Sequence, residues 1–81
     1  MSPKLKNLSG KEVINFLLRS GFVFKRQRGS HIVLVGSFED IEVIAIVPAH
    51  KSISVGTLKS LYRQAKRCLP DNIVNDFFYS K

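Results

Sequence analysis

The stretch FVFKRQRGSHIVLV, residues 22–35, decides the fold, because it is typical of two β-strands joined by a tight turn. Side chains alternate with a period of two from Phe22 to Arg28, as they do in a strand. Gly29-Ser30 provides the turn, since glycine adopts a positive φ without steric strain, and the apolar run from His31 to Val35 predicts the second strand. Strict alternation gives the first strand two faces, one with Phe22, Phe24, Arg26 and Arg28, the other with Val23, Lys25 and Gln27.

Helical signals precede this hairpin. Ser9 and Glu12 have the spacing of a capping box, and an apolar stripe at helical spacing follows them. Gly21 is placed to end the helix in a left-handed conformation. We therefore predict a first helix from Gly10 to Ser20.

A third strand is predicted from Ile41 to Val47, after a loop formed by Gly36–Asp40. This strand is apolar on both faces, so the face that the helices leave open needs a cover, either from the C-terminal tail or from another molecule. The tail is favoured, because Phe77 and Phe78 otherwise have no obvious place to bury.

A second helix is predicted after Ser54, its N-cap, with an apolar stripe at i, i+3, i+4 and i+7. It is expected to continue through Leu69 to Pro70, where Asp71 caps a short terminal helix. The predicted fold class is α+β, in the order α-β-β-β-α, with a three-stranded antiparallel sheet, two helices on one face and a short C-terminal helix. We predict a single domain over residues 1–81, with its core at about 8–69 and a C-terminal extension at 70–81.

Composition narrows the class of partner. The 81 residues carry a formal net charge of +7 with 44% hydrophobic residues, which excludes a disordered coil and favours an acidic partner, nucleic acid above all. The single cysteine, Cys68, excludes an internal disulfide, and no metal-ligand cluster is visible. The segment Met1–Lys6 lacks the apolar stretch of a signal peptide, and no window reaches the length of a membrane span. We expect a cytoplasmic protein with no membrane partner.

His31 is the first candidate for chemistry. It follows a turn, begins a strand and has three cations nearby that could hold a phosphate, namely Lys25, Arg26 and Arg28. Histidine is the side chain whose unperturbed pKa lies nearest neutral pH. The alternative is a surface or structural histidine, which is the commoner role of a lone histidine.

The second candidate cluster begins at His50 and Lys51 and continues to Gly56-Thr57 at the start of the second helix. Backbone N–H groups at a helix start favour anions, and glycine permits close approach. The alternatives are that the start of the second helix shows ordinary capping only and that His50 is a loop histidine. If His50 lies near His31, it is a candidate second proton-transfer group.

These residues together resemble the HicA family of toxin mRNA interferases. Gly29-Ser30-His31, Val47-Pro48-Ala49-His50, Gly56-Thr57-Leu58-Lys59 and Gln64-Ala65 match that family in order and spacing, from about Leu8 to Ala65. The resemblance implies a fold like that of double-stranded-RNA-binding domains, and it maps the catalytic histidine onto His31. It also implies a cognate HicB-like antitoxin that covers the active face, with a free monomer and a hetero-oligomer in the pair.

The resemblance therefore implies the toxin of a type II toxin–antitoxin system, an endoribonuclease acting on mRNA. No carboxylate pair is visible to hold a metal, since Glu39, Asp40 and Glu42 lie in a distal loop, so we expect metal-independent cleavage without a cofactor. His31 would act as general base, driving attack by a ribose 2′-hydroxyl on the adjacent phosphodiester. The alternatives are a non-catalytic RNA-binding module and an interaction domain for an acidic protein. The expected RNA- or phosphate-binding residues are Lys25, Arg26, Arg28, Ser30, Lys51, Gly56, Thr57, Lys59 and Arg63.

Overall fold

The computed structural model describes residues 4–80, so Met1–Pro3 and Lys81 of the predicted domain lie outside the described range. Three helices and a three-stranded antiparallel sheet confirm the α+β fold class. A two-stranded pairing of the chain ends, absent from the sequence-based prediction, is added to them. The elements in chain order are β1 (Lys4–Leu5), α1 (Gly10–Arg19), β2 (Val23–Arg28), β3 (His31–Phe38), β4 (Ile41–Pro48), α2 (Val55–Lys66), α3 (Asp71–Phe78) and β5 (Tyr79–Ser80).

The sheet has the order β2-β3-β4, and both of its connections are two-residue turns. Gly29 has φ 58°, and the pair Arg28 and His31 flanks the Gly29-Ser30 turn, as predicted. Glu39 and Asp40 both have positive φ, 51° and 66°, which is the pattern of a type I′ hairpin turn.

The predicted loop at Gly36–Asp40 is therefore wrong over its first three residues, which continue β3 and pair with β4. Gly36 serves packing rather than a turn. A Cβ placed on Gly36 would lie 2.7 Å from the ring of Phe22, so the absence of a side chain makes room for that buried ring. A glycine inside a strand often marks such a close approach.

The helix boundaries match the prediction except at three ends. The Ser9–Glu12 capping box is present, and Gly21 follows α1 with φ 106°. The first helix ends at Arg19, with Ser20 as its C-cap. The predicted second helix is too long, because α2 ends at Lys66 and the chain turns before Pro70. The N-cap of α3 is Pro70, so the assignment of that cap to Asp71 is wrong.

A β-bulge in β2 changes which side chains share a face. Phe24 pairs with Leu34 and Arg26 with Val33, so Lys25 is an extra residue at the register shift. Strict alternation along this strand is therefore wrong. One face carries Val23, Arg26 and Arg28 of β2 together with His31, Val33 and Val35 of β3, while Phe24 and Gln27 belong to the other face.

The core lies between the sheet and the helices. Leu34, Ala45 and Val47 face α1 and α2 from the sheet, and the terminal helix adds Val74 and Phe78, which have no exposed surface. No helix among residues 4–80 is long and apolar enough to cross a membrane.

The expectation that the tail covers the second face of the sheet is wrong. Phe77 stacks on Phe16 of α1 with ring centroids 4.0 Å apart, and Phe78 meets the ring of Tyr62 of α2 edge-on, so α3 extends the helical layer. Ile44 and Ile46 of β4 remain 46% and 52% exposed on the other face. We call that face the open face. It carries His31, Val33 and Val35 of β3 together with the residues paired with them, which are Val23, Arg26 and Arg28 of β2 and Ile44, Ile46 and Pro48 of β4.

Candidate active site

His31 is exposed at the first position of β3, on the open face of the sheet. The Gly29-Ser30 turn determines its place, because Arg28 is the residue directly opposite it in β2 and Pro48 is opposite it in β4. The Cα atoms of directly opposed residues in an antiparallel pair are about 4.5–5.5 Å apart. The imidazole therefore has access to solvent and a guanidinium-bearing residue as its row neighbour.

The bulge selects which of the three predicted cations accompany His31. Arg28 is paired with His31, and Arg26 is paired with Val33, which is the next pair along the open face. Both are exposed. Lys25 is exposed as well but is the unpaired residue of the bulge, so the register does not align it with His31.

The loop after β4 lies against the hairpin turn. The Ala49 N–H donates to the Ser30 carbonyl at 2.6 Å, which extends the pairing of β3 and β4 past their ends. His50 is two residues beyond Pro48, the row partner of His31. Given the span of two residues and the spacing of paired strands, the Cα atoms of His31 and His50 lie within about 12 Å of each other.

His50 nevertheless belongs to a different surface. It lines a shallow groove of about 500 Å³ on the helical side, whose other lining residues include Ile32 of β3. Ile32 alternates with His31 along the strand, so the two side chains lie on opposite faces of the sheet. The two histidines thus share one end of the sheet without sharing one face. The groove is lined by Ser9, Lys11, Ile14, Ile32, Ala49, His50 and Lys51.

The groove contains residues that sequence reasoning missed, namely Lys11 and Ile14 of α1. Their proximity to the His50 loop depends on Gly10, whose N–H donates to the His50 carbonyl at 2.8 Å. A Cβ on Gly10 would lie 2.1 Å from the Pro48 carbonyl oxygen, so only glycine permits this approach. The capping box predicts where α1 begins, but it contains no signal for which segment packs against the start of that helix.

The start of α2 leaves space for a ligand. The Ser54 hydroxyl accepts from the Thr57 N–H at 3.4 Å and donates to the Thr57 hydroxyl at 3.0 Å. The N–H and the hydroxyl of Thr57 therefore already take part in capping. A Cβ on Gly56 would meet nothing within 4 Å, which leaves its backbone open to approach. Lys59 and Arg63 follow on the exposed side of α2.

Charge is segregated along the sheet. Lys11, Arg26, Arg28 and Lys51 are exposed at the end where His31 and His50 lie, and we call these four residues the basic end. The acidic residues Glu39, Asp40 and Glu42 lie at the opposite end, around the turn between β3 and β4. Glu42 is paired with Ser37, which lies six positions along β3 from His31, a distance of about 20 Å. Within residues 4–80, no group of three or more potential metal ligands is assembled.

Cys68 lies two residues after the end of α2 and packs, partly buried, at the edge of the core. Burial raises the pKa of its thiol above the usual value, while the nearby Arg67 acts in the opposite direction with a smaller effect. A raised pKa lowers the fraction of the reactive thiolate at neutral pH. The thiol is therefore suited to packing rather than to nucleophilic chemistry.

Comparison with known proteins places the chain beside a family of bacterial toxins. A family model described as the HicA toxin of bacterial toxin–antitoxin systems matches residues 10–66, more than half of the chain. The matched region extends from the start of α1 to the end of α2 and includes both histidines. No curated protein and no solved structure matches.

Proposed function

Because the chain belongs to the HicA family of toxins from bacterial toxin–antitoxin systems, we propose that it is an endoribonuclease that cleaves mRNA with His31 as general base. Toxins of this family generally act as ribonucleases and are paired with an antitoxin. The proposal adds the residue, the reaction and the messenger substrate to that family assignment.

One observation carries the proposal, namely the position of His31. The side chain is exposed, lies on the open face and is flanked along the sheet by Arg28 and Arg26. A general base must reach the proton that it abstracts, and phosphate binding requires cations close by. This surface supplies both within two successive residue pairs of the open face.

The reaction proposed is transesterification within RNA. In its neutral form, His31 accepts the proton of a ribose 2′-hydroxyl, and the 2′-oxygen forms a bond to the adjacent phosphorus. The bond from phosphorus to the 5′-oxygen breaks, and that oxygen takes a proton from solvent and leaves as a free 5′-hydroxyl, while His31 returns its proton to solvent. The other product ends in a 2′,3′-cyclic phosphate. Arg28 and Arg26 stabilise the negative charge that develops on the phosphoryl oxygens.

The remaining candidate residues serve RNA binding in this scheme. His50 and Lys51 lie in the loop beside the turn, and Gly56 and Thr57 begin the helix that follows. His50 lines the groove on the helical side, so contact with the RNA suits its position better than proton transfer opposite His31. Lys59 and Arg63 extend the cationic surface along α2, with Lys25 and Ser30 at the hairpin.

The antitoxin is proposed to cover the open face, so that it blocks His31 and buries the apolar side chains beside it. Val23, Ile44 and Ile46 are exposed there, with Val35 between them in the sheet. Exposed apolar surface of this kind marks an interaction site. The free toxin is then a monomer, and the pair forms a hetero-oligomer.

An RNA digestion assay tests the proposed function. Purified protein is incubated with end-labelled mRNA in the presence of EDTA, and the product ends are identified by chemical treatment. We expect shortened RNA with 2′,3′-cyclic phosphate and 5′-hydroxyl ends, and we expect suppression when the antitoxin is added. A non-catalytic RNA-binding module would instead shift the RNA on a native gel and leave its length unchanged.

A chemically altered substrate is the control for this reaction. When the cleaved linkage carries a 2′-deoxyribose on its 5′ side, the nucleophile is absent and that linkage should remain intact while other linkages are still cut. Continued cutting at the deoxy position would exclude attack by the neighbouring hydroxyl.

Replacing an arginine of the open face is expected to lower the salt dependence of RNA binding. Each cation that neutralises a phosphate of a single strand contributes about −0.7 to the slope of log K against log salt. Arg26→Ala and Arg28→Ala, made in a His31→Ala background to prevent cleavage, should each reduce the slope by about that amount. Fluorescence anisotropy at several salt concentrations measures it.

Arg19→Ala is the matched control, because Arg19 is also exposed but lies in the last turn of α1. It is eight residues from Lys11 along the helix, about 12 Å from the basic end. An equal loss of slope in Arg19→Ala would mean that net charge alone, and not the open face, binds the RNA.

A further inference from the structure

The groove beside the basic end has a definite composition. Its surface combines the aliphatic side chains of Ile14, Ile32 and Ala49 with polar groups from Lys11, His50 and Lys51. Its volume of about 500 Å³ lies within the range of sites for small molecules, about 300–1,000 Å³. An apolar floor beside several cations fits a ligand that has a flat apolar part and an anionic part.

The walls of the groove are held in place by backbone contacts. The Gly10 N–H donates to the His50 carbonyl, and the Ile53 N–H donates to the Leu8 carbonyl at 2.9 Å, so two hydrogen bonds join the loop after β4 to the chain at the start of α1. Ser9 and Glu12 already satisfy each other in the capping box. Recognition therefore falls to the side chains that line the groove rather than to the end of the helix.

We propose that this groove binds one unpaired nucleotide of the RNA substrate, with its base against Ile14 and Ile32 and its phosphate against Lys11 and Lys51. The inference rests on the proposed function and deepens it. A base that is paired in a duplex cannot turn its face to such a floor, whereas bases of single strands are bound on apolar side chains. The site therefore requires single-stranded RNA around the cleaved linkage.

The position of the groove determines which nucleotide it binds. Ile32 follows His31 in β3, and the Ala49 N–H is hydrogen-bonded to the Ser30 carbonyl. The groove and His31 are thus on two sides of the same sheet end. RNA that passes around this end reaches both, so the bound nucleotide lies close to the scissile phosphate in the RNA chain.

A walk of abasic substitutions tests the inference. A short RNA is prepared in versions that each lack one base, and its affinity for the His31→Ala protein is measured by fluorescence anisotropy. We expect one position at which loss of the base weakens binding severalfold, because the apolar surface that the base buries against Ile14 and Ile32 is lost. The same position should lower kcat/KM for cleavage by the unmodified protein.

The groove is then identified by coupling between protein and RNA. In Ile14→Ala, whose folding is checked by its thermal transition, the penalty at that position should disappear, because the contact is already lost. Lys11→Ala alters an exposed residue and should weaken binding severalfold for every version of the RNA. Arg19→Ala, at the other end of the same helix, should change neither.

Two results would overturn the inference: the absence of any position with a specific penalty, or a specific penalty that Ile14→Ala leaves unchanged. Cleavage without a coupled position would refute the groove and leave the proposed function standing. A coupled position in a protein that never cleaves RNA would refute the nuclease and leave the groove standing.

Discussion

Replacing His31 with alanine is expected to lower the rate constant for RNA cleavage by a factor of about 10²–10⁴, which is the usual contribution of a positioned proton-transfer group. The methyl group of alanine cannot accept the 2′-hydroxyl proton, and no other histidine lies on the open face among the described residues. Single-turnover cleavage at saturating protein measures the rate constant without a contribution from binding.

The fold should survive this substitution, because His31 is exposed and the β3 backbone retains its pairing with Arg28 and Pro48. Surface substitutions usually change the free energy of unfolding by no more than about 0.5 kcal/mol. His50→Ala is the matched control, since His50 is also exposed but lines the groove. We expect it to raise KM and to leave the single-turnover rate constant nearly unchanged. Full activity of His31→Ala, or equal loss of the rate constant in both variants, would refute the assignment of the base.

The position of His31 could be predicted from sequence because local signals determine it. Gly29 adopts the positive φ that the turn requires, and the apolar run after the turn specifies a strand. The bulge at Lys25 could not be predicted in this way. Lys25 and the three residues that follow it are all polar, so a shift of one residue within that run leaves the pattern unchanged. Only pairing with β3 reveals which arginines share the open face.

The groove illustrates the other limit. Lys11 and His50 are far apart in sequence, and their proximity depends on a close approach of two backbones at Gly10. A glycine at the start of a helix carries no unique signal, since capping and close packing both tolerate it. The residues of a site that arise from tertiary packing are therefore found in the structure, whereas those that arise from one turn are found in the sequence.

The tail shows how aromatic packing overrides a simple argument about exposed surface. The open face has apolar side chains to cover, but Phe16 and Tyr62 offer aromatic partners on the helical side. Edge-to-face and stacked aromatic pairs add about 0.5–1.5 kcal/mol to the burial of their area. Phe77 and Phe78 pack there, and the open face stays available to a partner.

Phe78→Ala is accordingly expected to be the most destabilising substitution, even though Phe78 lies beyond the region of family similarity. Its side chain is fully buried against Phe16 and Tyr62. Truncating a buried phenylalanine typically lowers the free energy of unfolding by about 3–5 kcal/mol, through lost burial and the cavity left behind. For a domain of this size the melting temperature should fall by more than about 12 °C, measured by circular dichroism.

Ile73→Ala provides the comparison within the same helix, because Ile73 is 45% exposed. It should lower the free energy of unfolding by less than about 1 kcal/mol. Small domains have only about 5–15 kcal/mol of stability, so the loss in Phe78→Ala leaves much of the protein unfolded at moderate temperature and reduces RNA cleavage in proportion to the folded fraction. This reduction should vanish on cooling, whereas the loss in His31→Ala should persist. A Phe78→Ala protein as stable as Ile73→Ala would mean that α3 is attached to the domain without completing its core.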